Sequence, residues 1–163
     1  MKKTACLIIM LACTALVSCN HNCCDLPTPV NTMKATKNGA AWELNYATGN
    51  MRQDTLILAD TSVNPERTEL ILFKFKFDGT GNYKLSAGNL VYAYAHRMDN
   101  PYVYYTLNTA YNNSLKITGY DTGGGIVTGT FNIKLDKDPS NNDSRYPANL
   151  SFLNGVFNIH LSK

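Results

Sequence analysis

The C-terminal segment ANLSFLNGVFNIHL, residues 148–161, decides the fold class. At its centre stands Asn154-Gly155, the dipeptide that two-residue type I′ turns prefer. A hairpin folded about this turn has one apolar face and one mostly polar face, as a sheet that covers a core requires. The apolar face would contain the pairs Phe152–Phe157, Leu150–Ile159 and Ala148–Leu161. We therefore predict an antiparallel β-hairpin at the C-terminus.

The same period-two alternation recurs along the chain from residue 42 onward. The clearest cases are Ile71 to Phe77, with Ile71 and three phenylalanines on one face and Lys74 and Lys76 on the other, and Val127 to Leu135. Shorter runs around Trp42 and Leu56 follow the same pattern, whereas no stretch has a sustained helical period. About eight strands with short turns predict an all-β antiparallel meander. We favour a lipocalin-like barrel, with a β-sandwich as the alternative.

Residues 90–108 form a second predicted hairpin that is unusually rich in tyrosine. In the simplest register Tyr94 lies opposite Tyr105, and the loop falls at 99–101. Aromatic rings with hydroxyl tips can hold sugars, peptides or lipid-like ligands, although strands favour tyrosine for structural reasons as well. The candidate ligand-binding residues are Tyr92, Tyr94, Tyr102, Tyr104 and Tyr105.

The N-terminus has the pattern of an export signal. Lys2 and Lys3 precede an apolar run that begins at Ala5, and this run is shorter than the roughly 20 residues that a spanning helix needs. The next residues, Leu16-Val17-Ser18-Cys19, resemble a bacterial lipobox. The resemblance implies cleavage before Cys19 and a lipid on that cysteine, which would make a membrane the first partner. An ordinary secretory signal is the alternative.

These signals divide the chain into three parts: residues 1–18 as signal peptide, 19–37 as lipid anchor and flexible linker, and 38–163 as a single all-β domain. Pro27 and Pro29 support the linker. After cleavage, 13 Lys and Arg face 12 Asp and Glu, so no basic patch for nucleic acid is expected. No acidic run follows Cys19, which favours the outer membrane with the domain facing the periplasm. Surface exposure is the alternative.

No sequence motif for catalysis or metal binding is complete. The run Asp136, Asp138, Ser140 and Asn142 has the spacing of a calcium loop, but Asn141 and Pro147 occupy its glycine and glutamate positions. His96 and His160 have no other ligand type at metal-binding spacing. We therefore expect no metal, no cofactor and no enzymatic activity. Asp54-Thr55-Leu56 resembles a short O-glycosylation motif of some Gram-negative bacteria.

Several motifs in order resemble small lipoproteins of unknown function from Gram-negative gut and oral bacteria. They are Asn38-Gly39-Ala40-Ala41-Trp42, Gly81-Asn82-Tyr83-Lys84-Leu85, Ile117-Thr118-Gly119-Tyr120-Asp121, Gly129-Thr130-Phe131 and Asn154-Gly155-Val156-Phe157-Asn158. The resemblance implies an exported β-domain and supplies no functional site. We expect a lipid-anchored domain of the cell envelope that binds a small molecule, glycan or protein without catalysis. A structural or assembly lipoprotein is the alternative, and a hydrolase a more distant one.

Overall fold

A computed structural model describes residues 30–63, 68–95 and 102–162, and these residues form an all-β fold. The described chain contains eleven strands: β1 (Thr32–Lys37), β2 (Ala40–Leu44), β3 (Thr48–Arg52), β4 (Thr55–Val63), β5 (Thr68–Lys76), β6 (Gly81–Lys84), β7 (Leu90–Ala95), β8 (Val103–Leu107), β9 (Ser114–Asp121), β10 (Ile126–Lys137) and β11 (Asn149–Ser162). A 3₁₀ turn at Ala87–Asn89 precedes β7. The all-β prediction is confirmed, with eleven strands where about eight were expected.

The described strands belong to one sheet, in the order β2-β1-β11-β3-β4-β5-β7-β8-β10-β9-β6. A further pairing of β10 with β11 links the two halves of this order. As a result β11, β3, β4, β5, β7, β8 and β10 form a closed circuit of hydrogen-bonded neighbours. This arrangement is compatible with a barrel-like fold and with a sandwich. The predicted meander is present in β3, β4, β5, β7 and β8, whereas β6 pairs with β9. β1 and β2 lie beside the C-terminal strand β11, which also pairs in parallel with β3.

The long strands β10 and β11 each pair with two strands along one edge. β11 pairs first with β1 and then, at its end, with β3. β10 pairs first with β9 and then, at its end, with β8. The β1–β2 hairpin therefore lies at one end of the circuit, and β9 with β6 lies at the other. We call the end with Lys37 and Asn149 the upper end, and the end with Thr32 and Ser162 the lower end.

The predicted C-terminal hairpin is wrong, because Asn149–Ser162 is one continuous strand, β11, paired with β10 on one edge and with β1 on the other. Asn154-Gly155 belongs to a bulge. The register shift places two residues of β11 opposite Asn132 alone on β10. Asn154 has a φ of 53°, a left-handed conformation that asparagine tolerates, and its N–H donates to the Asn132 side chain at 2.8 Å. The dipeptide bends the strand instead of reversing it.

The interior consists of the side chains that the alternation places inward. Ile71 and Phe73 on β5 are fully buried, and Phe131 on β10 is 1% exposed. The ring centroids of Phe73 and Phe131 are 5.3 Å apart, and those of Tyr92 and Phe152 are also 5.3 Å apart. The inward faces predicted for β5 and β10 are therefore confirmed, and they pack as an aromatic core.

The tyrosine-rich hairpin is present as β7 and β8, in a different register from the predicted one. Tyr92, and not Tyr94, lies opposite Tyr105. Because the difference is two residues, the side chains of the described residues in β7 and β8 keep their predicted faces. The loop predicted at 99–101 lies outside the described residues.

The predicted linker is wrong over its last six residues, because Thr32–Lys37 is strand β1, held between β2 and β11. β1 enters the sheet at the lower end, where Thr32 lies opposite Asn158, and it reaches the upper end with Lys37 opposite Phe152. Residues 1–29, with Cys19 and the predicted signal peptide, lie outside the described residues, so those predictions stay predictions.

Candidate functional site

A charged network is buried at the upper end, where β1, β2 and β5 meet. Glu69, the second residue of β5, is only 1% exposed. One of its oxygens accepts from Lys37 Nζ at 2.9 Å, and the other accepts from Trp42 Nε1 at 2.6 Å. Buried charges persist in proteins when they are paired and hydrogen-bonded, and Glu69 meets both conditions. This carboxylate therefore fixes a lysine and a tryptophan that come from the N-terminal hairpin.

Aromatic rings surround the ammonium group of Lys37. Its Nζ donates to the Tyr92 hydroxyl at 2.7 Å, and it lies 4.8 Å from the centroid of the Tyr94 ring and 5.6 Å from that of Phe152. Cation–π contacts at such distances are favourable, and more so when water is excluded. Burial, followed by the charge of Glu69, raises the pKa of Tyr92 far above its usual value. Tyr92 therefore accepts the hydrogen bond from Lys37 as a neutral phenol.

The loop between β10 and β11 brings a second cation to the upper end. Lys137 Nζ donates to the carbonyls of Asp143 and Tyr146 at 2.9 and 3.2 Å, which ties the loop to β10. Arg145 donates through Nε and Nη2 to the Asp143 carboxylate at 2.9 and 2.5 Å. These bonds lower the pKa of Asp143 to about 2 and raise that of Arg145. Both side chains consequently remain charged at neutral pH.

The β1–β2 hairpin and this loop border a cleft of about 230 Å³, which we call the upper cleft. Its described lining includes Lys37, Trp42, Tyr94, Arg145, Pro147 and Leu150. Small-ligand sites typically combine apolar walls with a few polar groups in fixed positions. The upper cleft has this composition, and the Glu69 network lies directly behind its wall.

The five tyrosines that were predicted as a ligand-binding surface do not share one surface. Tyr92 and Tyr105 are buried, at 0% and 2% exposure. The Tyr105 hydroxyl donates to the Pro147 carbonyl at 2.9 Å, and burial raises its pKa to about 12. Tyr102 and Tyr104 lie on the outer face and are 46% and 52% exposed. Of the five, Tyr94 is the one that lines the upper cleft.

The sequence interpretation missed the other charged and aromatic members of this site. A signal existed for Glu69. It lies two residues before Ile71 and four before Phe73, so the alternation of the strand places its carboxylate on the same inward face of β5. An inward carboxylate requires a partner. No comparable signal existed for Lys37, which was assigned to the linker, or for Arg145, which lies in the loop between β10 and β11.

A second buried carboxylate, Asp60, lies on β4 opposite Ile71 and is 2% exposed. Neither of its carboxylate oxygens has a hydrogen bond of normal geometry. Burial raises the pKa of Asp60 to about 6, and the nearby N–H groups of Thr61 and Tyr46 offset only part of this effect. Ionised Asp60 therefore destabilises the folded state at neutral pH.

Replacing Asp60 with asparagine is expected to flatten the pH dependence of stability. The pKa is 3.8 for an unperturbed Asp and about 6 in the fold, so wild-type Asp60 favours folding below pH 3.8 and loses that contribution as the pH rises through 6. A shift of this size corresponds to about 3 kcal/mol. Urea unfolding at about pH 4 and at about pH 8 gives the loss of stability between the two values for each protein. This loss should be about 2–3 kcal/mol smaller in the variant than in the wild type.

The matched control for this comparison is Asp54→Asn. Asp54 is an exposed carboxylate that lies 3.7 Å from Lys76 Nζ, and exposed pairs of this kind contribute little to stability. The control should reproduce the wild-type pH profile. If Asp60→Asn reproduced it too, the assignment of Asp60 as a destabilising buried acid would be wrong.

A larger depression of about 720 Å³ lies at the lower end. Its described lining includes Arg52, Tyr120, His160 and the triple glycine Gly123–Gly125. The His160 side chain is exposed, and the residue is held through its backbone N–H, which donates to Asn31 at 2.9 Å. The part of the chain that the structure describes has no buried charged network behind this depression. The upper cleft is therefore the better candidate site.

The polar loop with calcium-like spacing is stabilised by its own hydrogen bonds. Asp138 accepts the N–H of Ser140 at 2.8 Å, and Asp136 accepts from the Asn149 amide at 2.7 Å. Within the described ranges, no group of three or more His, Cys, Asp or Glu is placed to hold a metal ion. His96 lies outside those ranges.

Residues 30–159 match the model of a family described as a domain of unknown function, DUF6252. The chain belongs to this family. The DUF6252 match begins before β1 and extends almost to the end of β11, so it covers both the N-terminal hairpin and the loop that line the upper cleft. No curated protein and no solved structure matches the chain. In the described portion, no helix has the length and apolarity needed to cross a membrane.

Proposed function

We propose that this DUF6252 protein is a lipid-anchored domain of the cell envelope that binds a small ligand in the upper cleft without catalysis. The observation that carries the proposal is the buried Glu69 network. A buried ion pair is weak as a source of stability, but it holds side chains in fixed positions, which binding sites require. Here Glu69 fixes Lys37 and Trp42 in the cleft wall.

The direction of β1 supports a binding role for the upper end. The chain enters the sheet at the lower end, and Cys19 precedes Thr32 by 13 residues. With a lipid on Cys19, the lower end is the end at which the anchored segment joins the domain. The upper cleft lies at the opposite end from this attachment, where a soluble ligand or the end of a polymer can reach it.

The export pattern and the charge balance support the cellular location. The proposed lipobox ends at Cys19, and the chain beyond it is nearly neutral, so it has little electrostatic attraction to nucleic acid. We place the protein in the outer membrane facing the periplasm, with exposure at the cell surface as the alternative.

The chemistry of the lining supports binding over catalysis. The described residues of the upper cleft include no histidine, cysteine, serine or carboxylate. Those groups perform most acid–base and nucleophilic steps in enzymes. The Nζ of Lys37 is already engaged by the buried carboxylate of Glu69, which lies 2.9 Å away.

A structural or assembly role is the second candidate, and exposed apolar side chains favour it. Val91 on β7, Tyr102 just before β8 and Tyr104 on β8 are 41%, 46% and 52% exposed. A partner protein that co-purifies with the anchored domain, and that Tyr104→Glu releases, would favour this role.

Mass spectrometry of the exported protein tests the anchor and the ligand together. We expect the wild-type chain to lose residues 1–18 and to gain the mass of a diacylglyceryl group with a further acyl chain. The Cys19→Ser variant, made with a cleavable secretory signal in place of residues 1–18, should be free of lipid and recoverable without detergent. Native spectra of this variant, purified from a bacterial periplasm, should contain an extra mass that denaturation releases.

Each half of this test has a result that contradicts it. Acylated, membrane-bound protein from the Cys19→Ser variant would show that Cys19 is not the anchor. A bare native mass, even after incubation with an envelope extract, would argue against an enclosed ligand. It would favour the structural or assembly role, with a partner bound to the outer face of β7 and β8.

A further inference from the structure

The charged side chains in the described lining of the upper cleft, Lys37 and Arg145, are both cations. Their carboxylate partners, Glu69 and Asp143, do not belong to that lining. The side chain of Lys37 is 16% exposed against 1% for Glu69, and that of Arg145 is 59% exposed against 29% for Asp143. In each pair the cation is the member nearer the solvent. The lining therefore presents two cationic groups to a ligand, while their carboxylate partners keep both groups in place.

Ammonium and guanidinium groups are the preferred protein partners of carboxylates. Their charge-assisted hydrogen bonds are about twice as strong as neutral ones, and guanidinium adds a planar fork that matches a carboxylate. Lys37 is held by Glu69 and Tyr92, and Arg145 is held by Asp143, so both cations are fixed before a ligand arrives. A fixed donor loses less conformational entropy on binding than a flexible one.

The remaining lining and the size of the cleft limit the rest of the ligand. Tyr94 contributes a half-buried ring, and Pro147 and Leu150 contribute apolar surface. A volume of about 230 Å³ holds about eight water molecules at their liquid volume. This is room for one six-membered ring with its substituents, and any larger part of a ligand would extend out of the cleft into solvent.

Building on the proposed function, we infer that the upper cleft binds a carboxylate carried on a single six-membered ring. The carboxylate lies between Lys37 and Arg145, and the ring packs against Tyr94. A sugar acid and an aromatic acid share this chemistry. Both satisfy the cations, and both present a flat or nearly flat apolar face to the tyrosine.

Trp42 makes the test specific to the site, because it is the only tryptophan of the chain and it lines the cleft. The Cys19→Ser chain is titrated with glucuronate and with benzoate, and in parallel with glucose and benzyl alcohol as neutral counterparts. We expect at least one acid to produce a saturable change in Trp42 fluorescence. Its neutral counterpart should bind about tenfold more weakly or worse, since a hydrogen bond between charged groups is lost. A response to glucuronate indicates a sugar acid, and a response to benzoate indicates an aromatic acid.

Arg145→Gln is the informative variant. Arg145 lies on an exposed loop, so the substitution should leave the fold intact, yet it should weaken binding of the acid by about tenfold. Arg52→Gln is the matched control, because it removes the same charge from the lower depression. The control should bind the acid with wild-type affinity and with the same salt dependence.

Three results would overturn the inference: equal affinity for an acid and its neutral counterpart, wild-type affinity in Arg145→Gln, or no response to either acid at millimolar concentration. If one of these results occurred and native spectra of the Cys19→Ser chain still contained an extra mass, the proposed binding function would hold, and its ligand would belong to another class. A bare native mass would remove the proposed function itself.

Discussion

Glu69→Leu should lower the free energy of unfolding by about 3–5 kcal/mol, the usual loss when one member of a buried ion pair is removed. The substitution takes away the carboxylate that Lys37 Nζ and Trp42 Nε1 both bond, at 2.9 and 2.6 Å. The ammonium group then remains among aromatic rings without that counter-charge. Leucine fills most of the space, so the loss is mainly electrostatic. Urea unfolding followed by circular dichroism measures it.

The chain contains a matched exposed pair. Lys34 and Glu43 on β1 and β2 lie 2.9 Å apart, the same distance as Lys37 and Glu69, but their side chains are 46% and 44% exposed. Glu43→Leu should therefore cost less than about 1 kcal/mol. Equal losses in Glu43→Leu and Glu69→Leu would show that burial of the upper-end network contributes nothing.

The double variant Lys37→Met/Glu69→Leu separates charge from packing. Removing both charges leaves an apolar pair, the Trp42 N–H without the Glu69 acceptor and the Tyr92 hydroxyl without the Lys37 donor. The residual loss should be about 1–3 kcal/mol. The double variant should thus be more stable than Glu69→Leu alone. If it were less stable, the loss in Glu69→Leu would come from side-chain volume and not from an isolated charge.

Gly155→Ala should destabilise the fold by about 3 kcal/mol, at the upper end of the range for overpacked cores. A Cβ at this position would lie 2.6 Å from three carbons of the Phe131 ring. The ring is 1% exposed and packs against Phe73, so it has little room to move. The bulge at Asn154 brings the Gly155 backbone onto this ring. Thermal and urea unfolding both report the loss.

Gly88→Ala is the control for backbone flexibility, because a Cβ there would meet nothing within 4 Å. It should be neutral or slightly stabilising, since alanine restricts the unfolded chain more than glycine does. In the background of Phe131→Leu, the effect of Gly155→Ala should shrink, because the smaller side chain relieves the overlap. An unchanged effect in that background would contradict the assigned contact.

The candidate site was only partly predictable, and its members explain why. Tyr94 was predicted as a binding residue and does line the upper cleft. Glu69 could have been found from its inward parity on β5. Lys37 and Trp42 are 32 and 27 residues away from Glu69 in the chain, and no local pattern relates them. Arg145 reaches the cleft through the bonds of Lys137 to its loop, which the sequence does not reveal.

The sequence by itself determined which side chains face inward. Period-two alternation in β5 and β10 is a property of each strand alone, since successive side chains point to opposite faces whatever the strand pairs with. For the same reason a register error of two residues in the tyrosine hairpin left every tyrosine on its predicted face.

Only the tertiary structure decided what Asn154-Gly155 does and where the charged network forms. Asparagine and glycine both accept a left-handed backbone, which serves a tight turn and a bulge equally well. The choice depends on hydrogen-bond partners. β11 pairs with β10 along one edge and with β1 along the opposite edge. A hairpin at residue 154 would break most of the hydrogen bonds of both pairings. Long-range pairing therefore outweighs the local preference for a turn, and the same pairing brings Lys37 to Glu69.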